Sequence, residues 1–472
     1  MKRYFFSQIR RQKYLLIVGD FIVITYSLFI AYVINFAFFT RRAFTLSRIF
    51  QRAIPLAGIV VFFLFVFYLA DLYEKDKIRD LFKALSTIVV CVLLVSLVSS
   101  GILFFFTKYI IGRKVIVINI PIITGLLIIW RFIFLNIIRK SERPLRLALI
   151  GSMKIIPNFV KEFYRLKTTD YRITQICLIG MSREAKALIP DNLPGSILLY
   201  EKIDDLLENE DFDILVYDYT RGEMSKKEIH RILQFKFKGK FIYDFPSFYE
   251  DLTGKVSLDF IDSRWLLSDA GFQGKISKNY LRIKRWLDFV FSTILLILTF
   301  PLALLIAVAI KIDSKGSIIF SQSRLGVRKR SFICYKFRTM KSGAEEETGP
   351  AWSSKDDPRV TRVGKILRRT RLDELPQFWN IIKGEMSFVG NRPIRKYFAD
   401  ELAEMIPYYD LRFLVKPGLS GWAQVSGGYS GSKREQYEKF QYELFYIRRM
   451  SLLLDLFIFF KTIKTVILRK GE

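Results

Sequence analysis

The sequence predicts a membrane protein of the α plus α/β class, with a four-helix transmembrane bundle, an α/β domain and a mainly α domain carrying a re-entrant membrane helix. Of its 472 residues, 51% are hydrophobic and 44 are Phe, more apolar surface than a water-soluble chain of this length needs. Four apolar runs open the chain, and strand-like runs alternate with helical patterns in its middle. We expect domains at 1–142, 143–265 and 266–472.

The composition excludes several kinds of chemistry. The single histidine, His230, and the three scattered cysteines, Cys91, Cys177 and Cys334, cannot form a Cys/His zinc site or a disulfide framework. No nucleophile motif accompanies His230, which lies on a helical stretch and is expected to be a surface or packing residue. Chemistry must therefore rely on carboxylates and cations, with a bound metal ion as an option.

Positive charge is concentrated at the two ends of the chain. Lys and Arg number 74 against 45 acidic residues, a formal net charge of +29. Residues 1–142 and residues 311–472 each carry +13, whereas residues 143–279 carry +1. The excess lies beside apolar segments and in the last third, which suits anionic lipid headgroups and phosphorylated substrates. A nucleic-acid partner is not expected.

The four N-terminal apolar runs cover approximately residues 14–39, 54–72, 84–107 and 115–135. Each is close to the 20 or so residues that a helix needs to cross a bilayer, and the first is too long for the apolar core of a signal peptide. Basic residues before the first run place the N-terminus in the cytoplasm. One observation disagrees with this orientation, because four arginines would then lie outside the cytoplasm: Arg41, Arg42, Arg48 and Arg52.

A fifth apolar run, within residues 282–310, is interrupted by Pro301. Proline removes a helix hydrogen bond and clashes with the preceding turn, so a kink or break is expected. A kinked transmembrane helix would send residues 311–472 outside. Basic residues flank both ends of the run, which favours a re-entrant helix-break-helix that enters and leaves by the cytoplasmic face.

Residues 143–265 alternate five strand-like runs with amphipathic stretches. The runs are LRLALIG, TQICLIG, SILLY, DILVYDY and KFIYDF, and the alternation predicts a parallel, Rossmann-like sheet with helices on its faces. After the first run only Gly151 of a dinucleotide-binding G-x-G-x-x-G pattern is present. A structural or regulatory domain is therefore expected here.

Adjacent carboxylates mark the last third of the chain. Asp373 and Glu374 lie among three arginines, Arg368, Arg369 and Arg371, and Leu375-Pro376 predicts a helix that starts near Asp373. An acidic residue at a helix N-terminus can be merely a cap. The surrounding cations point instead to phosphate chemistry.

Four basic residues in this region lie in short motifs framed by Gly, Pro or aromatic residues: Lys336, Arg338, Arg368 and Arg392. Guanidinium groups bind phosphate oxygens bidentately and lysine acts as a point charge. A carboxylate pair beside them can hold a divalent metal ion through oxygen ligands. Carboxylates, a metal ion and cations together predict phosphoryl transfer, in which an aspartate can attack phosphorus.

The ordered motifs resemble those of a known family. KRWLDF, YKFRTM, LDELPQFWN, GEMSFVGNRP, KPGLSGWAQVSG and YIRRMSLLLDL are similar to segments of the bacterial polyprenyl-phosphate glycosyl-1-phosphate transferases, the monotopic bacterial sugar transferase superfamily. The resemblance is strong over about 279–472 and looser over the whole chain. It implies transfer of a sugar 1-phosphate from a UDP-sugar to undecaprenyl phosphate, with release of UMP. This reaction begins exopolysaccharide, capsule or O-antigen repeat units at the cytoplasmic face of the bacterial inner membrane.

The resemblance also implies roles for individual residues. Asp373 would attack the β-phosphorus and form an aspartyl-phosphosugar intermediate, while Glu374 would orient Asp373 and Mg²⁺, with Mn²⁺ as an alternative ion. Asp373 and Glu374 would be the metal ligands. The candidates for binding phosphate or substrate are Lys336, Arg338, Arg368, Arg392, Gln377, Trp422 and Gln424. Pro301 would break the re-entrant helix.

The sequence departs from the family pattern at two positions, and two further segments have features of interest. Asn391 stands where the family usually has Pro, and Phe300 stands where it often has Ser. Trp422 and Gln424 either line the nucleotide or sugar site or are turn and core residues. Residues 446–468 alternate basic and apolar residues at helical spacing, which predicts a helix lying on anionic lipid.

Two other functions remain open from the sequence. A conventional membrane glycosyltransferase would release UDP and would need no aspartyl nucleophile, and a non-catalytic scaffold for polysaccharide assembly would bind without turnover. The sequence does not identify the sugar. The bundle and the α/β domain offer surface for a homodimer.

Overall fold

A computed structural model describes most of the chain. The described residues are 5–39, 53–73, 81–105, 113–141, 144–152, 155–166, 170–179, 197–218, 226–261, 265–266, 278–341, 343, 357–427 and 432–467. They fall into two compact units, Met1–Pro144 and Leu145–Glu472. The expected boundary after residue 142 lies two residues before this division, and the expected boundary after residue 265 lies inside the second unit. Arg41, Arg42, Arg48 and Arg52 lie outside the described residues.

The first unit contains the four expected apolar helices: α1 Phe5–Phe39, α2 Ala53–Leu69, α3 Leu81–Phe105 and α4 Arg113–Ser141. α1, α3 and α4 each contain a stretch long and apolar enough to cross a membrane, whereas the apolar part of α2, Leu56–Leu69, is shorter. A buried ion pair joins α1 to α4, where Arg131 donates to Asp20 across 2.8 Å. Paired charges of this kind lie inside a bundle because lipid solvates them poorly.

The second unit begins with a five-stranded parallel sheet formed by the five predicted strand segments. The strands are β1 Leu145–Ser152, β2 Tyr171–Ile179, β3 Leu198–Tyr200, β4 Ile214–Tyr217 and β5 Phe241–Asp244, in the order β3-β2-β1-β4-β5. The helices of this domain are α5 Ile156–Arg165, α6 Ile203–Glu208, α7 Lys226–Phe237 and α8 Phe245–Thr253. This order is that of the doubly wound fold, as predicted. His230 is exposed on α7.

The fifth apolar run forms one helix, α9 Lys278–Asp313, which contains Pro301. It is long and apolar enough to cross a membrane. The helix continues through the proline, so no non-helical segment separates its two halves, and re-entry into the membrane stays a prediction. Proline removes a single N–H donor, and packing on both sides supports the flanking turns: Leu295 and Leu296 contact one apolar cluster and Ala303 contacts the next.

Both ends of α9 contact the same part of the second unit. Near its start, Lys284 donates to Asp455 across 2.8 Å. At its end, Asp313 accepts a hydrogen bond from the backbone N–H of Val363 across 3.1 Å. Between these ends, the apolar side chains that face away from the protein are exposed, as Leu298 and Leu305 illustrate.

The remaining elements follow α9 along the chain. They are β6 Ile319–Leu325, β7 Ser331–Phe337, α10 Arg362–Thr370, α11 Gln377–Lys383, β8 Ser387–Val389, α12 Lys396–Met405, β9 Gly418–Ser420, α13 Trp422–Ser426, α14 Lys433–Arg449 and α15 Leu452–Ile467. β6 and β7 form an antiparallel hairpin, and β8 pairs in parallel with β9. The helix expected at 446–468 is wrong at its start, because α14 ends at Arg449 and α15 begins at Leu452.

The α/β domain is joined to α14 by buried charges. Glu250 of α8 is fully buried and forms ion pairs with Arg448 and Arg449 in the last turn of α14. Arg449 also donates to Asp251 across 3.0 Å. These contacts explain why the two arginines do not belong to a lipid-facing helix: their charges are neutralised by the neighbouring domain.

Candidate active site

The two adjacent carboxylates lie on a short turn between two helices. α10 ends at Thr370, the next residue, Arg371, has a left-handed φ of 58°, and Leu372–Glu374 then forms a single 3₁₀ turn. α11 begins at Gln377, directly after Pro376. The helix expected to start near Asp373 therefore starts four residues later. Asp373 and Glu374 are consequently held on a rigid connection, not in the first turn of an α-helix.

Glu374 is buried and surrounded by positive charge. Its Oε1 accepts hydrogen bonds from Lys336 Nζ at 3.0 Å and from Arg392 at 2.9 Å, and Arg371 lies at 4.0 Å. Burial opposes ionisation of this carboxyl, but the three cations outweigh burial and hold the pKa of Glu374 well below its usual range. Glu374 is therefore a permanent anion that fixes the two cations in place.

Asp373 is equally buried but has a different environment. Its nearest cation is Lys336, with Nζ 3.9 Å from Oδ2, and its Oδ1 has no hydrogen-bond partner within the described part of the chain. Burial and the negative charge of Glu374 raise the pKa of Asp373 above its usual value, although the nearby cations oppose this. The pKa values of the two carboxyls are thus shifted in opposite directions, and Asp373 has a buried oxygen without a hydrogen-bond partner in the described part of the chain.

Lys336 reaches the carboxylates from β7, and a buried amide holds that strand in place. The side chain of Asn380, on α11, accepts from the backbone N–H of Tyr335 at 3.1 Å and donates to the carbonyl of Ile333 at 2.6 Å. Asn380 is fully buried. It ties the hairpin to the helix that follows the carboxylates, so it sets the distance between Lys336 and Glu374. Asn380 is the last residue of the LDELPQFWN motif, but nothing in the sequence indicates its role, because both of its bonds to β7 depend on tertiary packing.

Arg392 reaches the same carboxylate from the segment after β8. At Gly390 the backbone comes so close to residues 416–418 that a Cβ atom would lie 2.3 Å from the carbonyl oxygen of Lys416. A Cβ at Gly418 would lie 2.1 Å from the backbone N of Gly390. The side chain of Asn391 donates to the carbonyl of Arg412 at 3.1 Å, so the segment is anchored without the proline that the family usually has here.

Arg338 and Arg368 are placed differently from Lys336 and Arg392. The guanidinium of Arg338 is buried and donates to the carbonyl oxygens of Ser314 at 2.7 Å and Lys315 at 2.5 Å, just beyond the end of α9. Arg368 Nε donates to the Thr339 hydroxyl at 2.9 Å. Arg338 therefore satisfies carbonyl groups at a helix end, and phosphate binding by these two arginines stays a prediction.

The other expected site residues are dispersed. Gln377 is buried on the first turn of α11, and its Nε2 has no partner within the described residues. Trp422 donates from Nε1 to the carbonyl of Gly254 at 2.8 Å and stacks on Phe445, with ring centroids 5.4 Å apart. Trp422 thus occupies a packing position, and the Oε1 of Gln424 is buried without a partner in the described part of the chain. Their binding roles stay predictions.

The comparisons with known proteins concern the part of the chain that holds these residues. The family described as bacterial sugar transferase matches residues 279–469. An exopolysaccharide production protein of Rhizobium leguminosarum bv. phaseoli is 36% identical over 194 residues, 40% of this chain and 97% of the relative. The chain belongs to the bacterial sugar transferase family.

Two longer relatives match a smaller share of their own length. A UDP-N-acetylgalactosamine-undecaprenyl-phosphate N-acetylgalactosaminephosphotransferase of Aeromonas hydrophila is 41% identical over 226 residues, 48% of this chain and 52% of the relative. A UDP-glucose:undecaprenyl-phosphate glucose-1-phosphate transferase of Escherichia coli (strain K12) is 40% identical over 183 residues, 38% of this chain and 39% of the relative. The matches thus span about half or less of the length of these two relatives.

The carboxylate pair also fits what a magnesium ion requires. The described residues contain no group of three or more His, Cys, Asp or Glu side chains that could enclose a metal ion. Mg²⁺ in phosphate chemistry commonly uses only one or two protein carboxylates and takes its other ligands from substrate phosphates and water. The free Oδ1 of Asp373 is a suitable oxygen, while Oε1 of Glu374 is occupied by Lys336 and Arg392.

Proposed function

We propose that this protein transfers a sugar 1-phosphate from a UDP-sugar to undecaprenyl phosphate, releasing UMP. The single observation that carries the proposal is the different bonding of the two carboxylates. Glu374 accepts hydrogen bonds from two cations, whereas Asp373 beside it has an oxygen without a partner among the described residues. The two longer relatives are named for this reaction, one with N-acetylgalactosamine and one with glucose. The product would begin an exopolysaccharide, capsule or O-antigen repeat unit.

The reaction would proceed by two displacements at one phosphorus atom. In the first, the Asp373 carboxylate attacks the β-phosphorus of the donor, the bond to the bridging oxygen breaks, and UMP leaves with that electron pair. In the second, an oxygen of undecaprenyl phosphate attacks the phosphosugar on Asp373 and the carboxylate leaves. The product is a polyprenyl diphosphate sugar, and Asp373 is regenerated.

The cations around Glu374 would stabilise the transferred group. Lys336 lies close to both carboxylates. Its ammonium group would therefore contact the oxygens of a phosphoryl group on Asp373 while it stays bonded to Glu374. Arg392 is one third exposed, so a substrate phosphate can reach its guanidinium. Both would act by neutralising charge that develops in the transition state, an effect that is strong in a site with little water.

A magnesium ion would be held by Asp373 and Glu374 together with phosphate oxygens of the donor. When bound, it would supply Lewis-acid polarisation of the diphosphate and stabilise the leaving UMP. The raised pKa of Asp373 would fall when a divalent cation is near, which favours the nucleophilic form.

The position of α9 supports a site at one face of the membrane. Both ends of the helix bind residues of the same compact unit, through Lys284 near the start and Asp313 at the end. A helix that crossed the bilayer would carry its two ends to opposite aqueous phases. We propose that α9 kinks at Pro301 and so enters and leaves by the cytoplasmic face of the inner membrane, where the carboxylates meet the phosphate of the lipid acceptor.

The deciding experiment identifies the nucleotide that is released. Purified protein in detergent or nanodiscs is incubated with Mg²⁺, undecaprenyl phosphate and a panel of UDP-sugars, and the products are separated by chromatography. UMP that appears only with a matching sugar supports the proposal and identifies the donor. UDP would indicate a conventional glycosyltransferase. Donor binding without any nucleotide release, across glucose, galactose and N-acetylated or deoxy sugars, would favour a scaffold.

A further inference from the structure

A buried ion pair lies directly behind the segment that carries Arg392. Arg412, at 4% exposure, and Glu443, at 2%, form two parallel hydrogen bonds: Nε to Oε2 at 3.0 Å and NH2 to Oε1 at 2.9 Å. The remaining terminal nitrogen of Arg412 donates to the hydroxyl of Tyr409 at 2.7 Å. The pair joins the 3₁₀ turn Tyr409–Leu414 to α14.

This pair also holds the backbone of the Arg392 segment. Arg412 NH2 donates to the carbonyl oxygen of Arg392 at 3.0 Å, and the carbonyl of Arg412 accepts from the side chain of Asn391 at 3.1 Å. One turn along α14, Tyr446 donates to the carbonyl of Val389 at 3.1 Å. The segment from 389 to 392 is thus bonded at three residues, Val389, Asn391 and Arg392, to buried polar groups.

The opposite side of the same segment faces the carboxylates. The guanidinium of Arg392 extends to Glu374 Oε1, while its carbonyl is fixed by Arg412. The guanidinium of Arg412 makes four hydrogen bonds and therefore has little freedom to move. Burying two charges in a protein costs free energy that a well-packed apolar pair does not cost. Fold stability alone therefore gives a weak reason for this pair, whereas positioning Arg392 gives a specific one.

We propose that the Arg412–Glu443 pair is a positioning element for the transfer reaction, which sets the location of the Arg392 guanidinium relative to Glu374 and the donor phosphate. The proposal rests on the proposed function. Arg412 and Glu443 act through Arg392 and touch no reacting atom. Their loss should change the use of the donor in a way that loss of fold stability does not.

The test uses a volume-matched apolar replacement in the full-length protein. Removing Glu443 alone would leave a buried, unpaired guanidinium, so the variant Arg412→Met/Glu443→Leu replaces both charges and retains packing. The matched control is Lys255→Met/Glu438→Leu, which removes another ion pair formed by α14, one made with the α/β domain. Thermal melting of both variants in the same detergent establishes that they fold.

The expected result is a loss of kcat/KM by roughly 10- to 100-fold in the Arg412→Met/Glu443→Leu variant, the size expected when a binding group is misplaced by about 1 Å. The control should keep the wild-type value. In an Arg392→Met background the same double replacement should cause no further loss, because the residue that it positions is gone. Wild-type kcat/KM in the folded variant, or an undiminished further loss without Arg392, would overturn the proposal.

A second measurement does not depend on turnover. Phenylglyoxal modifies accessible arginines, and the rate at which it labels Arg392 can be followed by peptide mass spectrometry. We expect labelling to be several-fold faster in Arg412→Met/Glu443→Leu than in the wild type and the control. Equal rates would contradict the positioning role. If the wild type released no UMP from any donor, the proposed function would fail while this measurement still tested the position of Arg392.

Discussion

Lys336 donates to Glu374 across 3.0 Å while its Nζ lies 3.9 Å from Asp373, so one ammonium group is shared unequally by two neighbouring carboxyls. The closer contact belongs to Glu374, whose pKa is lowered, and the more distant one to Asp373, whose pKa is raised by burial and by Glu374. The pKa values of two chemically similar groups on the same turn are thereby shifted in opposite directions.

The first prediction concerns pH. Asp373 must be ionised to attack phosphorus, and its pKa is raised, so kcat/KM should fall with decreasing pH at a higher pH than an ordinary aspartate would give. Lys336→Met removes a charge that favours ionisation of both carboxyls, so this acidic limb should move to still higher pH. The measurement is the pH profile of UMP release, with Lys365→Met, an exposed lysine of α10, as the control. An unshifted limb would show that Lys336 does not act on this pair.

The second prediction separates activity from stability at Asp373. Because its pKa is raised in the folded protein, folding favours the protonated form, and stability falls as pH rises from the unfolded pKa towards the folded one. Asp373→Asn removes that ionisation, so its melting temperature at neutral pH should equal or exceed the wild-type value. Its kcat should fall by roughly 10⁴-fold or more, as for loss of a nucleophile.

Asp400→Asn is the matched control for the second prediction. Asp400 is exposed, and within the described residues its ion pair is with Lys396 on the same helix. It should keep full activity and near wild-type stability. Near-normal turnover by purified Asp373→Asn or Asp373→Ala would exclude the aspartyl mechanism. A large loss of stability in Asp373→Asn would mean that the carboxylate has a structural partner.

The third prediction distinguishes two roles for Arg338. Its guanidinium caps carbonyl groups just beyond α9, so Arg338→Met should destabilise the protein by about 2 kcal/mol, the scale of a charged hydrogen bond. The KM for the UDP-sugar should not change in the fraction that remains folded. Thermal melting and donor kinetics measured together check this. A strongly raised KM at unchanged stability would restore the phosphate-binding role inferred from the sequence.

The sequence predicted those features that depend on local pattern. The five strands of the sheet were visible because each is a short run rich in Ile, Leu, Val and Tyr. The short motifs also identified four charged residues of the site, Asp373, Glu374, Lys336 and Arg392. Lys336 and Arg392 both bond to Glu374, and Lys336 also lies near Asp373. Lys336 and Arg338 looked equivalent in YKFRTM. β7 ends at Phe337, however, so strand alternation no longer relates their side chains.

Features that depend on tertiary contacts were not predictable from the sequence. Arg412 and Glu443 are 31 residues apart and each resembles an ordinary surface charge in its own segment. Asn380 is a lone amide among apolar residues, and its two bonds to β7 exist only after α11 has packed on the hairpin. The continuity of α9 through Pro301 likewise depends on neighbours that contact both flanking turns.

The Glu250 contacts have a practical consequence for expression of shorter fragments. A fragment that begins at residue 266 would lack Glu250, Asp251 and Gly254, and would thereby lose partners of Arg448, Arg449 and Trp422. Such a fragment would expose two adjacent positive charges and an indole N–H on the surface that contacts the α/β domain in the intact protein. We expect it to be less soluble than the intact second unit, even though every residue of the carboxylate site is retained.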